Sequence, residues 1–157
     1  MIATDILEKA KENSVMIATA ESCTGGMVAA SLTDIPGSSA MVDRGFVTYS
    51  NAAKMAMLGV RADTLEAVGA VSEEVAREMA EGALRHSNAQ LAVSITGIAG
   101  PGGSEHKPEG RVCFGLAQAG EETQTHTVEF GALGRQKVRE AARDHALGLL
   151  LKALTTG

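Results

Sequence analysis

Ser22 and Lys54 are the residues of this chain whose types and settings suit covalent chemistry. Ser22 stands in Glu21-Ser22-Cys23-Thr24-Gly25-Gly26, between an apolar run of strand length and the start of a helical pattern. Backbone N–H groups at a helix start favour an anion, and Thr24, Gly25 and Gly26 offer them beside the hydroxyl. Acyl transfer asks for that pairing, a nucleophile together with donors for the oxyanion that develops. The same residues also suit a plain helix cap, because Ser and Thr lead the preference for that position.

A serine nucleophile needs a base. Of His86, His106, His126 and His145 only His106 falls in a candidate site loop, and no Ser-His-Asp order stands out. Lysine is the other base that serine hydrolases use. Lys54, in Tyr49-Ser50-Asn51-Ala52-Ala53-Lys54, has Ala and Met neighbours on its helix, a setting in which half-burial lowers its pKa. A solvated lysine is the ordinary alternative. Tyr49, the only tyrosine, reads as a packing residue whose hydroxyl is also placed to relay a proton or hold the lysine. The stretch Gly97-Ile98-Ala99-Gly100-Pro101-Gly102-Gly103 lets backbone approach a ligand and present N–H groups to a phosphate. It is neither a Walker loop nor a dinucleotide fingerprint. Without a Cys/His cluster or an HExxH motif, metal ligation has no support.

The elements that must position these groups follow from hydrophobic period and turn signals. Residues 5–13 read as a helix capped by Thr4, and Val15–Ala20 as a strand buried on both faces, because it is continuously apolar. Met27–Leu32 resume a helix that Pro36-Gly37 stops. Phe46–Tyr49 form a second strand, and Asn51 caps a helix closed by Gly59. A short helix near Asp63–Val68 precedes a long amphipathic one from Ser72 through His86. Leu91–Thr96 is the third strand, and the Gly- and Pro-rich stretch 97–110 is loop. Arg111–Ala117 and Thr123–Phe130 pair as a hairpin about Gly120-Glu121, and Arg135–Leu154 is a closing helix. Strands separated by helices, then a hairpin, predict a three-layer α/β/α sandwich with a mixed sheet. Ligands in such sheets bind beyond the carboxyl ends of the strands, where Glu21–Gly26 and Gly97–Gly110 both fall.

Composition excludes several functions. The 157 residues suit one domain, 1–157, with 45% apolar and 21% charged residues, which rules out disorder and collagen. A net charge of −5 without a basic stripe, and 3% aromatics, argue against nucleic-acid partners and base-stacking platforms. No apolar run reaches the roughly 18 residues of a membrane span, and no leader pattern follows Met1. Cys23 and Cys113 form no CxxC pair and read as free thiols of a reducing cytoplasm.

At Ala20–Gly26, Gly45–Asn51, Lys54, Gly69–Ser72 and Gly97–Pro101 the chain resembles the CinA C-terminal domain family, whose members act as nicotinamide-nucleotide amidohydrolases. The resemblance runs from about residue 5 to 153. It implies an α/β/α sandwich with a mixed five-stranded sheet, a C-terminal hairpin and a closing helix. Longer members carry an extra N-terminal domain, so this chain looks like the stand-alone form. The resemblance implies deamidation of nicotinamide mononucleotide by a serine–lysine pair on Ser22 and Lys54 with the family tyrosine on Tyr49, and no cofactor or metal. It places Cys23, Thr24, Gly25, Gly26, Thr96, Gly97 and Gly100 at the substrate, and matches Arg139 to a family arginine that would meet the phosphate. Homo-oligomers are expected, with Met- and Ala-rich helices as the interface. The competing expectations are a non-catalytic nucleotide- or phosphate-binding module, in which Lys54 stays charged, and an interaction protein tied to DNA uptake or damage.

Overall fold

The computed structural model describes residues 1–156. The chain runs α1 (Ile2–Asn13), β1 (Ile17–Glu21), α2 (Met27–Thr33), a 3-10 turn (Ser38–Ala40), β2 (Val42–Val47), α3 (Asn51–Leu58), α4 (Ala62–Val68), α5 (Glu73–Arg85), β3 (Leu91–Gly97), β4 (Arg111–Gln118), β5 (Gln124–Glu129) and α6 (Arg135–Thr155). The sheet order is β2-β1-β3-β4-β5. Strands β1, β2 and β3 are parallel, while β4 and β5 run antiparallel to their neighbours. The predicted α/β/α sandwich with a mixed five-stranded sheet is the observed one. No helix among the described residues is long and apolar enough to cross a membrane.

The local departures have physical causes. The first helix starts at Ile2, which puts Thr4 inside it rather than at its cap. Ser50, not Asn51, caps α3, its hydroxyl accepting from the Ala53 N–H at 3.0 Å. The second strand begins at Val42, upstream of the predicted Phe46, and ends at Val47, although the Thr48 N–H still donates to the Glu21 carbonyl at 2.9 Å. Within the loop 97–110, Ser104 and Lys107 exchange two backbone hydrogen bonds of 2.9 and 2.8 Å and make a miniature turn.

The two faces of the sheet differ in residue size. Ile17, Leu91, Val93, Ile95, Val112, Phe114 and Leu116 point to one side and pack with Ile6, Val28, Leu32, Val138 and Leu150 from α1, α2 and α6. The other side carries Ala18, Ala20, Ala92, Ser94 and Gly115 against α5, whose inner residues are Ala76, Met79, Ala80 and Ala83. Small residues on both partners bring helix and sheet backbone close. The Ser94 hydroxyl reaches the Ala76 carbonyl at 2.6 Å, and a Cβ on Gly115 would lie 2.5 Å from that same oxygen. Replacing Gly115 by Ala should therefore overpack this face. A loss of about 1–3 kcal/mol in urea denaturation is expected, and unchanged stability would show that α5 can move aside.

Candidate active site

Strands β1 and β2 end level with one another, and β3 runs two residues further to Gly97. Glu21 stands opposite Val47 and Ile95 in the two parallel ladders. The chain leaves β1 to build β2 on one side and β3 on the other, so the carboxyl end of β1 is the point where the strand order reverses, a place where such sheets bind ligands. The Ser22 N–H still donates to the Ile95 carbonyl at 3.0 Å, which fixes the serine at the sheet's rim. From there a turn, closed by the Gly25 N–H on the Ser22 carbonyl at 3.0 Å, leads into α2.

Lys54 arrives from the neighbouring crossover. It sits one turn into α3 and shares the inward side with Leu58, and only 1% of it is exposed. Its Nζ lies 3.1 Å from the Ser22 Oγ, 2.9 Å from the Thr48 carbonyl oxygen and 3.3 Å from that of Tyr49. Three oxygens thus surround the amine. Burial pushes the Lys54 pKa below its ordinary value, against the opposing pull of the nearby Cys23 and Glu105 side chains.

These groups open onto a cleft of about 350 Å³, within the size range of small-molecule sites. Ser22, Cys23, Tyr49, Lys54, Thr96, Gly97 and Gly100 line it, together with Glu105 and Arg135. Thr96 is buried and donates its hydroxyl to the Ala70 carbonyl at 2.9 Å, tying β3 to the segment before α5. Cys23 is buried, and burial pushes its thiol up to about 11, so it is protonated and unreactive at neutral pH.

Three expectations are corrected here. Thr24, Gly25 and Gly26 do not line the cleft. The start of α2 already has its anion partner. The buried Glu21 carboxyl accepts from the Val28 and Ala29 N–H groups at 2.9 and 3.0 Å and from the Thr24 hydroxyl at 2.6 Å. Arg139 does not line the cleft either. Its guanidinium donates to the carbonyls of Cys23 at 3.0 Å and Thr24 at 3.4 Å, bracing the turn from behind. Tyr49 is 59% exposed and its phenol oxygen accepts from Arg135 at 2.7 Å, so it is the tyrosine's backbone carbonyl, not its hydroxyl, that meets Lys54.

Sequence reasoning missed Arg135 and Glu105. Arg135 lies one helical turn before Arg139, at the first position of α6, and that spacing was the available signal. It also donates to the Gly100 carbonyl at 2.7 Å. The Glu109 carboxyl joins the same two elements, accepting from the Gly102 N–H at 2.8 Å and the Gly134 N–H at 3.0 Å. No histidine is among the residues that line the cleft. His126 and His145 meet Nε2 to Nε2 at 2.7 Å beside Phe114, and burial lowers both pKa values.

The chain matches the CinA C-terminal domain over residues 1–154. It belongs to the CinA C-terminal domain family. It is 54% identical over 147 residues to a CinA-like protein of Chlorobium phaeobacteroides, covering 91% of this chain and 35% of that protein. The chain spans about a third of the length of several such relatives. It is 55% identical over 141 residues to the nicotinamide-nucleotide amidohydrolase PncC of Escherichia coli K12, covering 89% of this chain and 85% of that protein. The crystal structure of the competence/damage inducible protein CihA from Agrobacterium tumefaciens superposes with a TM-score of 0.94 at 47% identity, covering 99% and 94% of the two chains.

The buried thiol gives a direct check on this geometry. Iodoacetamide at pH 7.5 should leave Cys23 unmodified in the folded protein and alkylate it readily in urea, read by peptide mass spectrometry. Labelling of the folded protein at the rate of an exposed thiol would contradict the enclosed turn.

Proposed function

We propose that the cleft hydrolyses the carboxamide of nicotinamide mononucleotide to nicotinate mononucleotide and ammonia, with Ser22 as nucleophile and Lys54 as base. One observation carries this reading. A lysine amine, almost wholly buried, lies 3.1 Å from a serine hydroxyl at the mouth of a ligand-sized cleft. The 55% identity to a protein named for this activity supplies the substrate.

The hydrogen bonds suit a neutral amine. An uncharged Lys54 has two N–H bonds and one lone pair. The carbonyls of Thr48 and Tyr49 accept the two N–H bonds, which leaves the lone pair to the Ser22 O–H. As Ser22 attacks the amide carbon, its proton passes to Lys54. The developing oxyanion is met by the Cys23 N–H, which has no backbone acceptor among the described residues and follows the nucleophile directly in the chain. Collapse of the intermediate expels ammonia, which takes its proton from Lys54. Water then attacks the nicotinoyl ester, giving its proton to the same amine, and Ser22 is released as the hydroxyl. Arg135, at the rim with neutral oxygens for partners, is the cation for the substrate phosphate.

Ser22→Ala and Lys54→Met should each lower kcat for ammonia release by about a thousand-fold or more, since nucleophile and base act as a unit. Methionine keeps the length and burial of the lysine stem. Circular dichroism should therefore show a folded protein, and near-wild-type turnover by either folded variant would sink the mechanism.

The base must be unprotonated, so activity should fall as pH drops through the Lys54 pKa. Because burial lowers that pKa, the limb of the kcat/KM profile should lie below the ordinary lysine value. Activity that declines only above neutral pH, with a flat acidic side, would point to a different base.

A further inference from the structure

The charges of the cleft are not all accounted for by the serine–lysine pair. Glu105 is the sole carboxylate among the lining residues, and it enters no ion pair or side-chain hydrogen bond among the described residues. Its position is held at a cost in backbone conformation. Glu105 and His106 are the two central residues of the Ser104–Lys107 turn, with φ of +53° and +63°. Both are left-handed, as a two-residue hairpin turn of this type demands, and glycine or asparagine normally fills those places. Strained non-glycine residues of this kind cluster where a side chain is presented for function. Lys107 anchors the turn by donating to the carbonyls of Val68 and Val71, and the Glu105 Oε1 lies 3.2 Å from where a Cβ on Gly69 would be. Gly69 thus leaves the space beside which the carboxylate rests. Arg135 reaches the cleft from a different wall, against Gly100 and Tyr49. The lining therefore offers one anion that neither hydrogen bond nor ion pair engages, with the Lys107 ammonium bordering the same Gly69 space, and one cation whose partners are neutral oxygens.

We propose that Glu105 is the specificity residue for ring charge, its carboxylate facing the pyridinium cation of an N-ribosylated nicotinamide and so selecting the substituted ring over neutral carboxamides such as free nicotinamide. The proposal rests on the deamidation reading for its substrate and deepens it. A zwitterion with a cationic ring and an anionic phosphate matches the carboxylate and guanidinium of this cleft in sign and number. A neutral pyridine leaves the carboxylate unanswered and gains nothing from entering. The cationic ring also sits well beside an uncharged lysine and poorly beside an ammonium.

The test is calorimetric, on the Ser22→Ala variant, which holds ligand without turnover. The probes are nicotinamide mononucleotide and its C-nucleotide isostere, in which carbon replaces the ring nitrogen at the glycosidic bond and a neutral benzamide results. Glu105→Gln should weaken binding of the cationic ligand about five-fold, the scale of a partly exposed charge pair, and leave the isostere within about two-fold. Glu105→Asp, which keeps the charge, should stay near the parent and so separates charge from a disturbed turn. Equal weakening of both ligands, or none for the mononucleotide, overturns the proposal, as does failure of the parent to bind either. Ammonia release by the wild-type protein is measured alongside. Charge-selective binding without ammonia defeats the deamidation reading and supports the role of Glu105, whereas ammonia without charge selectivity does the reverse.

Discussion

A lysine amine enclosed by protein is the constraint around which this structure is arranged. Removing an ammonium from water is unfavourable, and the protein answers with three oxygens at 2.9–3.3 Å and a lowered pKa rather than with a carboxylate partner. A paired carboxylate would hold the amine charged. Two carbonyls and a hydroxyl satisfy it equally in the neutral form, the form that can accept a proton. For this the second strand has to end at Val47, so that the Thr48 and Tyr49 carbonyls turn inward. The Ser50 cap then starts α3 at the point that brings Lys54 back to them one turn later.

The surrounding polar groups are assigned largely to holding that arrangement. Glu21 fills the start of α2, Arg139 braces the Ser22–Gly26 turn, Glu109 joins the glycine loop to α6, and Lys107 ties the miniature turn to the α4–α5 segment. All four act on backbone groups at helix ends and loops around the rim. With their partners supplied internally, the rim keeps few charges for a ligand.

Much of the fold was legible because its signals are local. The β-branched, strand-length run at Leu91–Thr96, the glycine stop at Gly59 and the Ser72 cap each follow from residue type and spacing. The meeting of Ser22 with Lys54 was legible through motif resemblance, since a separation of 32 positions in the chain hides it from any periodicity. What escaped depended on tertiary competition. Thr24–Gly26 look like an open anion site until Glu21, from the preceding strand, takes it. Arg139 and Arg135 stand a turn apart on one helix, and only the packing of that helix decides which of them reaches the cleft. Glu105 sits in a loop whose composition says only that it bends.

The unequal faces of the sheet bear on how this protein can change over generations. On the side of α1, α2 and α6, large aliphatic residues interlock, and one can shrink while its neighbour grows. On the α5 side the sheet residues Ala18, Ala20, Ala92 and Gly115 are already near the minimum size, and at Gly115 and Gly82 the next atoms outward include main-chain carbonyls of Ala76 and Leu58. Compensating swaps there have no side chain to trade with. Leu58 belongs to the helix that carries Lys54, so drift on that side would be felt first at the amine, which leaves the loops at the rim as the freer ground for altering what the cleft accepts.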